Sequence, residues 1–569
     1  MTLPTAHADS FARDRSPPAA QWPELLFELP ALQALPERLN AAQWLLVDAV
    51  QRRGWGPRRC IVAADGTAWT YGQLLDQALR IAAVLQREMG LVSGQRVLLR
   101  APNTPMLAAA WFGVLLAGGI AVGTMPLLRA RELATLINKA QVTHALCDAA
   151  LAAELATAAA EQPVLAQIRH FHTTADDGLE AAMARQPADP PTHPTAFDSL
   201  ASDTALIAFT SGTTGQPKGT LHSHRDLIAA CLCWPARVLR ARPDDLFTGS
   251  PPLAFTFGLG GLLLFPLAIG AATLLLPQPA PALLLAAIAE HRATVLFTSP
   301  TAYRAMAAEA AARRIGAPQG GPLRQCVSAG EVLPAATRAL WKQASGIEPI
   351  DGIGATEMLH IFISHDEAHA RPGATGTVVP GYRACVLGED GRPLPPGQVG
   401  RLAVKGPTGC RYLDDERQTQ YVQGGWNLTG DAYWQDEDGY FHHQARTDDM
   451  IVSAGYNIAA PEVEEALLTH PAVAECAVIA RPDDERGQVV AAFVVLRAGA
   501  AGTAGDDPAG RDALARELQA HAKQAIAPYK YPRAICFVPS LPRTETGKLQ
   551  RFKLRSLDLP VHPRPGAAA

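Results

Sequence analysis

The chain has little lysine. Of its 50 basic residues only eight are lysine, at positions 139, 218, 342, 405, 523, 530, 548 and 553, which leaves 50 − 8 = 42 arginines. Arginine supplies the generic positive surface, so a lysine here is a more informative residue than usual. A surplus of one charge sign is also missing. The 50 basic residues face 54 acidic ones, a net charge of −4, which argues against a nucleic-acid partner. The nine cysteines are odd in number and dispersed, with only Cys231 and Cys233 close together. That pattern excludes a disulfide framework and a zinc site and leads us to expect a reduced, cytoplasmic protein. The first 20 residues lack the apolar core of a signal peptide and read as a loose, disordered arm. Charge is absent altogether from Gly249 to Ala289. Leu253–Leu276 is long enough to span a bilayer, but Pro266, Gly258, Gly260, Gly261 and Gly270 interrupt it, and no Lys/Arg clusters flank it. The stretch reads as buried core and pocket wall, without membrane contact.

What is present is a globular chain too long for one core. At 569 residues, two or more domains are expected, and 48% hydrophobic against 18% charged residues excludes disorder along most of the length. From about Asn40 to Glu357, apolar runs such as Arg96–Arg100, Ala205–Phe209, Thr294–Phe297 and Gln325–Ala329 alternate with helical patterns such as Tyr71–Arg87, Met106–Leu116 and Leu283–His291. This alternation predicts an α/β fold with parallel sheets covered on both faces. From Gly373 to His443 short strands and Gly/Pro turns predict a small β-rich subdomain. After Arg446 the pattern is again mixed: helices over Pro461–Thr469 and Arg511–Ile526, strands over Val473–Ala480, Val489–Leu496 and Ala534–Val538. The tail from Pro560 reads as disordered.

The most informative segment is Thr210-Ser211-Gly212-Thr213-Thr214-Gly215-Gln216-Pro217-Lys218-Gly219, directly after an apolar strand. Its glycines let backbone N–H groups approach an anion, its hydroxyls add donors, and Lys218 adds a compact charge suited to phosphate. It is not a Walker A loop, because the Gly-Lys-[Ser/Thr] ending is absent.

TSGTTGQPKG resembles the signature loop of the adenylate-forming superfamily, which comprises acyl-CoA synthetases, luciferase-like enzymes and peptide-synthetase adenylation domains. Four further motifs resemble that superfamily in the same order: Asp351-Gly-Ile-Gly-Ala-Thr-Glu357, Thr429-Gly-Asp431, Arg446 to Ile458, and Pro542 to Lys548. The resemblance covers roughly Asn40 to Leu554. It implies a large N-terminal domain of layered α/β subdomains plus a small β-rich subdomain (21–445), a hinge (446–449) and a small mobile α+β C-terminal domain (450–558). It also implies ATP, Mg²⁺ and coenzyme A. Glu357 would hold Mg²⁺ and Thr356 would touch the α-phosphate. Ser328, Ala329, Gly330 and Glu331 with Asp351, Gly352, Ile353 and Gly354 would line the adenine. An aromatic residue common in the family is replaced here by Ile353. Asp431 and Arg446 would hold the ribose hydroxyls. Lys548 would meet both the carboxylate and the α-phosphate, and Asp448 would be the hinge residue; the family's usual glycine before the motif arginine is Ala445 here.

The same resemblance places the acid pocket at Ala254, Phe255, Phe257, Gly258, Gly330 and His360. Two phenylalanines and small residues suit a flat apolar acid. Pro251–Leu264 contains no Asp or Glu, so an amino-acid ammonium would lack a counter-charge. DGIGATEMLHIF (351–362) and APYKYPR (527–533) followed by RTETGKLQRFKLR (543–555) resemble benzoate-CoA ligases. PNTPMLAA (102–109) and the 251–267 stretch resemble 2-aminobenzoate-CoA ligases. Medium-chain fatty acyl-CoA synthetases share YKYPR. His360 either bonds an ortho substituent or is a satisfied core histidine. The acceptor implied is coenzyme A, bordered by Ser453, Ala454, Gly455 and Tyr456, with Tyr531 and, as further candidates, Lys530, Arg533 and Arg481 at its nucleotide end. Phe197-Asp-Ser-Leu200 echoes a phosphopantetheine site, but the phosphate loop follows too soon for a carrier domain. The expected partners are a small aromatic carboxylic acid and coenzyme A, with the chain a monomer or homodimer. The alternatives are a medium-chain fatty acid–CoA ligase and a non-catalytic ligand-binding homologue.

Overall fold

A computed structural model describes residues 4–186, 196–210, 217–446, 450–453, 456–483, 487–497, 508–526, 530–543, 549–557 and 560–562. Two compact units divide the chain: Met1–Ala384 with Ala403–Leu428, and Cys385–Leu402 with Thr429–Ala569.

The first unit is built on two sheets. One has nine strands. In spatial order they are Thr377–Val378, Ile361–Ser364, Ile350–Gly354, Gln325–Ser328, Val295–Thr298, Leu246–Gly249, Ala272–Leu274, Arg59–Val62 and Ala68–Thr70. From Ile350–Gly354 through Arg59–Val62 every pairing is parallel, and antiparallel strands close both edges. The other sheet has six strands, in the order Gln167–Phe171, His144–Asp148, Arg96–Arg100, Ile120–Thr124, Thr204–Thr210 and Lys218–Ser223. Only the last is antiparallel. Uninterrupted apolar strands such as Arg96–Arg100, buried at every position, require helices on both faces. Helix Tyr71–Ala83 starts on a capping box between Thr70 and Gln73. It lies so close to helix Pro105–Leu116 that a Cβ on Gly113 would fall 2.7 Å from Ile81.

Most of Leu253–Leu276, the part long enough to span a bilayer, is core, as its Pro and Gly breakers lead one to expect, whereas Leu283 further along the uncharged stretch is exposed. The core part forms helix Thr256–Leu259, a π-helical turn Gly260–Leu264 and helix Phe265–Ala268, in which Leu259, Leu262, Leu263, Leu264 and Phe265 are buried. No helix among the described residues is long and apolar enough to cross a membrane.

The N-terminal segment differs from the loose arm expected of it. Residues 4–21 carry a short helix, Phe11–Asp14. Arg96 is 3% exposed; its guanidinium takes Asp9 as counter-ion at 2.7 Å and stacks 4.6 Å above the Phe11 ring. A buried arginine at a strand start needs such a partner, and the arm supplies it. Ser199 of the phosphopantetheine-like string is buried, which leaves its hydroxyl inaccessible to modification.

In the second unit, Asp431 to Gln435 pairs antiparallel with strand Phe441–Arg446. The hairpin Met450–Ser453/Tyr456–Ala459 follows, then helix Ala460–Leu468. A three-stranded sheet (Val473–Asp483, Gly487–Leu496, Ala534–Phe537) packs with helix Pro508–Ala525 around Ile451, Val463, Leu467, Val478, Val490, Leu518 and Ile535. The start of the tail is also held: buried His562 pairs with Asp512 and exchanges backbone hydrogen bonds with Ile535.

Candidate active site

The parallel strands of the nine-stranded sheet deliver polar side chains at their C-terminal ends, where open α/β sheets bind ligands. The Ser250 and Thr298 hydroxyls share a 2.5 Å hydrogen bond. Ser328, fully buried at the end of the next strand, has no partner for its hydroxyl among the described residues. Asp351 lies opposite it in the neighbouring strand. Burial pushes the Asp351 carboxyl up to about 7, with Arg338 and the Gly352 N–H opposing. Ala329 is buried, Gly330 takes φ +91°, and Glu331 accepts a 2.8 Å hydrogen bond from Thr301. Gly352, Ile353 and Gly354 complete strand Ile350–Gly354, so the adenine-lining candidates 328–331 and 351–354 sit on two adjacent strand ends.

Thr356 and Glu357 form the one-turn helix Thr356–Met358. Buried His222 holds this turn: its Nε2–H donates to the Thr356 carbonyl at 2.8 Å. Burial lowers the His222 pKa to about 4, so the ring is neutral at pH 7. The Glu357 carboxylate is buried and accepts a 2.5 Å hydrogen bond from the Tyr412 hydroxyl. The Lys218 ammonium donates to the same hydroxyl at 3.5 Å and lies 5.2 Å from that ring's centroid. Thr210 and Lys218 face each other across the hairpin that the phosphate loop closes. Ser211, Gly212, Thr213, Thr214 and Gly215 of that loop lie outside the described residues, as do Asp448, Ala454, Gly455 and Lys548.

The acid-pocket candidates are partly brought together. His360 is buried among Phe257, Phe265, Phe297 and Trp234, with ring centroids 5.6, 4.5, 6.5 and 5.5 Å away. Burial depresses its pKa to about 3, with the Phe257 backbone opposing. Neither its ring nitrogens nor Trp234 Nε1 has a well-formed hydrogen bond among the described residues. The π-helical turn fits against this cluster because it starts with two glycines: a Cβ on Gly260 would fall 2.5 Å from His360, and one on Gly261 2.4 Å from Phe297. Gly258 is equally constrained, with a Cβ position 2.1 Å from the Pro252 carbonyl. Ala254 borders a small apolar crevice with Leu107, Trp111 and Leu263. Phe255 precedes helix Thr256–Leu259 and is not among the rings around His360.

In the second unit Asp431 stands directly opposite Arg446 in the antiparallel ladder, so two residues 15 apart in sequence share one register position. The tight approach to Asp431 runs through Gly430, whose φ of +77° favours glycine. Buried Ser453 pairs with Tyr456 at the end of its hairpin. Tyr531 is held by Arg533, which donates to its hydroxyl at 2.9 Å, and by Lys523 at 4.1 Å from the ring. Lys530 is paired to Glu462 at 2.6 Å, and Arg481 donates to the Leu557 carbonyl at 2.9 Å.

Comparison with known proteins decides what these parts belong to. Residues 49–411 match the model of the family described as AMP-binding enzyme, and residues 462–548 match its C-terminal domain. The chain belongs to the AMP-binding enzyme family. Over 532 residues it is 33% identical to the benzoate–CoA ligase of Thauera aromatica, covering 93% of this chain and 97% of that one. It is 32% identical to a mitochondrial acyl-coenzyme A synthetase of Mus musculus, covering 95% of each. The crystal structure of the anthranilate CoA ligase AuaEII in complex with anthranoyl-AMP superposes with a TM-score of 0.82 at 32% identity, over 92% of this chain and 98% of that one.

Within this family fold, the residues fit magnesium. No group of three His, Cys, Asp or Glu side chains gathers as a metal cage among the described residues. Mg²⁺ does not need one, because it binds through one or two carboxylates plus substrate phosphates. Buried Glu357, beside a lysine, offers that single carboxylate. The sequence reading missed Tyr412, His222 and the ring wall of Trp234, Phe265 and Phe297. Each lies outside the five motifs, and only the spatial neighbours reveal it.

Proposed function

We propose that the protein is an ATP-dependent aromatic carboxylate–CoA ligase of the 2-aminobenzoate or benzoate type. The overall reaction joins an acid, ATP and coenzyme A to give acyl-CoA, AMP and diphosphate. The carboxylate first attacks the α-phosphorus of ATP, forming acyl-AMP and expelling diphosphate. The thiolate of coenzyme A then displaces AMP from the acyl carbon.

The observation that carries this reading is the ring cluster around His360. Trp234, Phe257, Phe265 and Phe297 pack against one another and His360, and a flat acid seated against them would make stacked or edge contacts. A neutral imidazole and an indole N–H without well-formed partners favour an acid carrying a polar ortho substituent, since a buried polar group gains from any partner offered. Glu357 would hold Mg²⁺, which when bound neutralises phosphate charge. Lys218 and the loop hydroxyls would bind phosphates of ATP, and Thr356 would touch the α-phosphate. Ser328 to Glu331 and Asp351 to Gly354 position adenine, and Asp431 and Arg446 the ribose. Lys548 would steady the charge shared by carboxylate and α-phosphate. Asp448 would be the hinge between 21–445 and 450–558, and Ser453 to Tyr456 with Tyr531 would border coenzyme A.

The test is a carboxylate panel read by AMP formation with and without coenzyme A. Benzoate and 2-aminobenzoate should drive coenzyme A-dependent AMP release at least about tenfold faster than hexanoate, because a flat ring fills an aromatic wall that an alkyl chain does not. Faster release with hexanoate would instead establish the medium-chain fatty acid reading, which the 32% identical acyl-coenzyme A synthetase keeps in view.

A further inference from the structure

Tyr412 lies outside every motif that located the site, yet it touches two of them. Its backbone is fixed from both sides. The Leu221 N–H donates to the Arg411 carbonyl and the Leu413 N–H to the Gly219 carbonyl, each at 2.8 Å. The Tyr412 N–H donates to Gln418 Oε1 at 2.9 Å. The segment is thereby zipped onto strand Lys218–Ser223. Next to it, buried Arg411 is ion-paired to buried Asp226. The Tyr412 ring is fully buried and meets Tyr421 edge-on at 5.8 Å.

The phenol oxygen is the meeting point of two charges. Its proton goes to Glu357 Oε1, and a lone pair faces the Lys218 ammonium. Lys218 comes from the hairpin of the six-stranded sheet, and Glu357 from the turn after a strand of the nine-stranded sheet. A phenylalanine would pack as well in the same space. What the hydroxyl adds is aim, because a charge-assisted hydrogen bond fixes the plane of the carboxylate and the distance between it and the ammonium. A metal-bound nucleotide would need that distance, since its phosphate oxygens would meet the cationic side chain and the cation that the carboxylate would hold.

We propose that Tyr412 is the positioning residue that sets Glu357 and Lys218 in register for a divalent cation–nucleotide complex. The inference rests on the reading of Glu357 as the Mg²⁺ ligand. It predicts that Tyr412→Phe weakens binding of the metal–ATP complex by about tenfold or more, the size expected for losing a hydrogen bond to a charged group. Mn²⁺ binding in the presence of ATP, followed by electron paramagnetic resonance, reads this without turnover. ATP affinity in EDTA, where the Lys218 contact is read without the cation, should fall less than the metal–ATP affinity. Equal weakening of ATP binding with and without metal would mark a merely structural role and overturn the proposal. Replacing Tyr412 with 4-aminophenylalanine, whose para N–H reaches the position of the hydroxyl, should recover most of the metal affinity. If Tyr412→Phe does not fold, this replacement decides: metal affinity within about threefold of the parent supports the proposal, and a tenfold loss overturns it. Glu357→Gln separates the two claims. If it leaves Mn²⁺ affinity unchanged, Glu357 is not the ligand and the underlying reading fails. If it weakens Mn²⁺ binding while Tyr412→Phe does not, only the inference about Tyr412 fails.

Discussion

Gly260 shows how little room one side chain is given in the ring cluster. A Cβ there would fall 2.5 Å from His360 Cδ2 and 2.9 Å from Phe265 Cζ, inside van der Waals contact for both. Neither ring can retreat. Phe265 is 1% and His360 4% exposed, and the backbone around His360 is itself pressed on Gly354, whose Cβ position is 2.8 Å from the His360 carbonyl. Gly260→Ala should therefore overpack the wall and cost about 1–3 kcal/mol of stability, read as a lowered denaturant midpoint. The displaced imidazole should raise the KM for the aromatic acid by about tenfold while the KM for ATP stays within about twofold, because the strand ends that carry Ser328 and Asp351 are not touched. An unchanged acid KM in a destabilised variant would place the acid away from His360.

At the scale of elements, helix His224–Leu232 joins stability to the site. Its capping box uses Ser223 and Asp226, and the Asp226 carboxylate also receives the guanidinium of buried Arg411, one residue before Tyr412. Ser223→Ala removes one cap hydrogen bond and should cost about 1 kcal/mol. Asp226→Ala should cost about 3–5 kcal/mol, because it strands a buried cation as well. Urea unfolding of the two variants checks the order, and a smaller loss in Asp226→Ala than in Ser223→Ala would contradict it. Elements of this kind were legible wherever the cause is local. Continuous apolar runs identify the parallel strands, and helical spacing places a helix from Tyr71. The phosphate loop stands out because its residue types and spacing lie within ten positions, and Asp351–Glu357 is recognised through the family resemblance that the loop opens. Contacts between distant parts of the chain leave no such trace. Lys218 and Tyr412 are 194 residues apart, His222 and Thr356 are 134 apart, and the N-terminal arm is ordered by Arg96, whose burial no local pattern announces. Helix Tyr71–Ala83 also ends before Arg87, passing into a π-helical turn over Val84–Glu88 that the apolar spacing does not distinguish from a continued helix.

For the molecule as a whole, the buried histidines set the response to acid. His222, His224, His360 and His365 have pKa values lowered by burial to about 4, 3, 3 and 4. The charged groups facing them alter these values without reversing them: Asp226 and Arg411 for His222, His7 for His224, and Arg338, Glu348 and Asp366 for His365. Each ring is neutral in the folded state at pH values where the unfolded chain, with histidine near 6.5, already binds a proton. The unfolded state thus binds more protons, so this contribution is intact above about pH 6.5 and is lost as pH falls from there toward 4. Asp351 works the other way. Its carboxyl, raised to about 7, keeps its proton in the folded state and loses it in the unfolded chain, so its contribution falls as pH rises from about 4 to 7. These four histidines against Asp351 leave a net uptake on unfolding of roughly two to three protons between pH 6 and 5, about 3–4 kcal/mol per pH unit from these five groups, to which His7 and His144, also lowered by burial, add. Urea titrations at pH 7, 6 and 5 should show the unfolding free energy holding near pH 7 and dropping steeply below 6. In His224→Gln, whose amide does not titrate, the slope should fall by about one proton's worth, and a slope identical to the parent's would exclude His224 from the acid response.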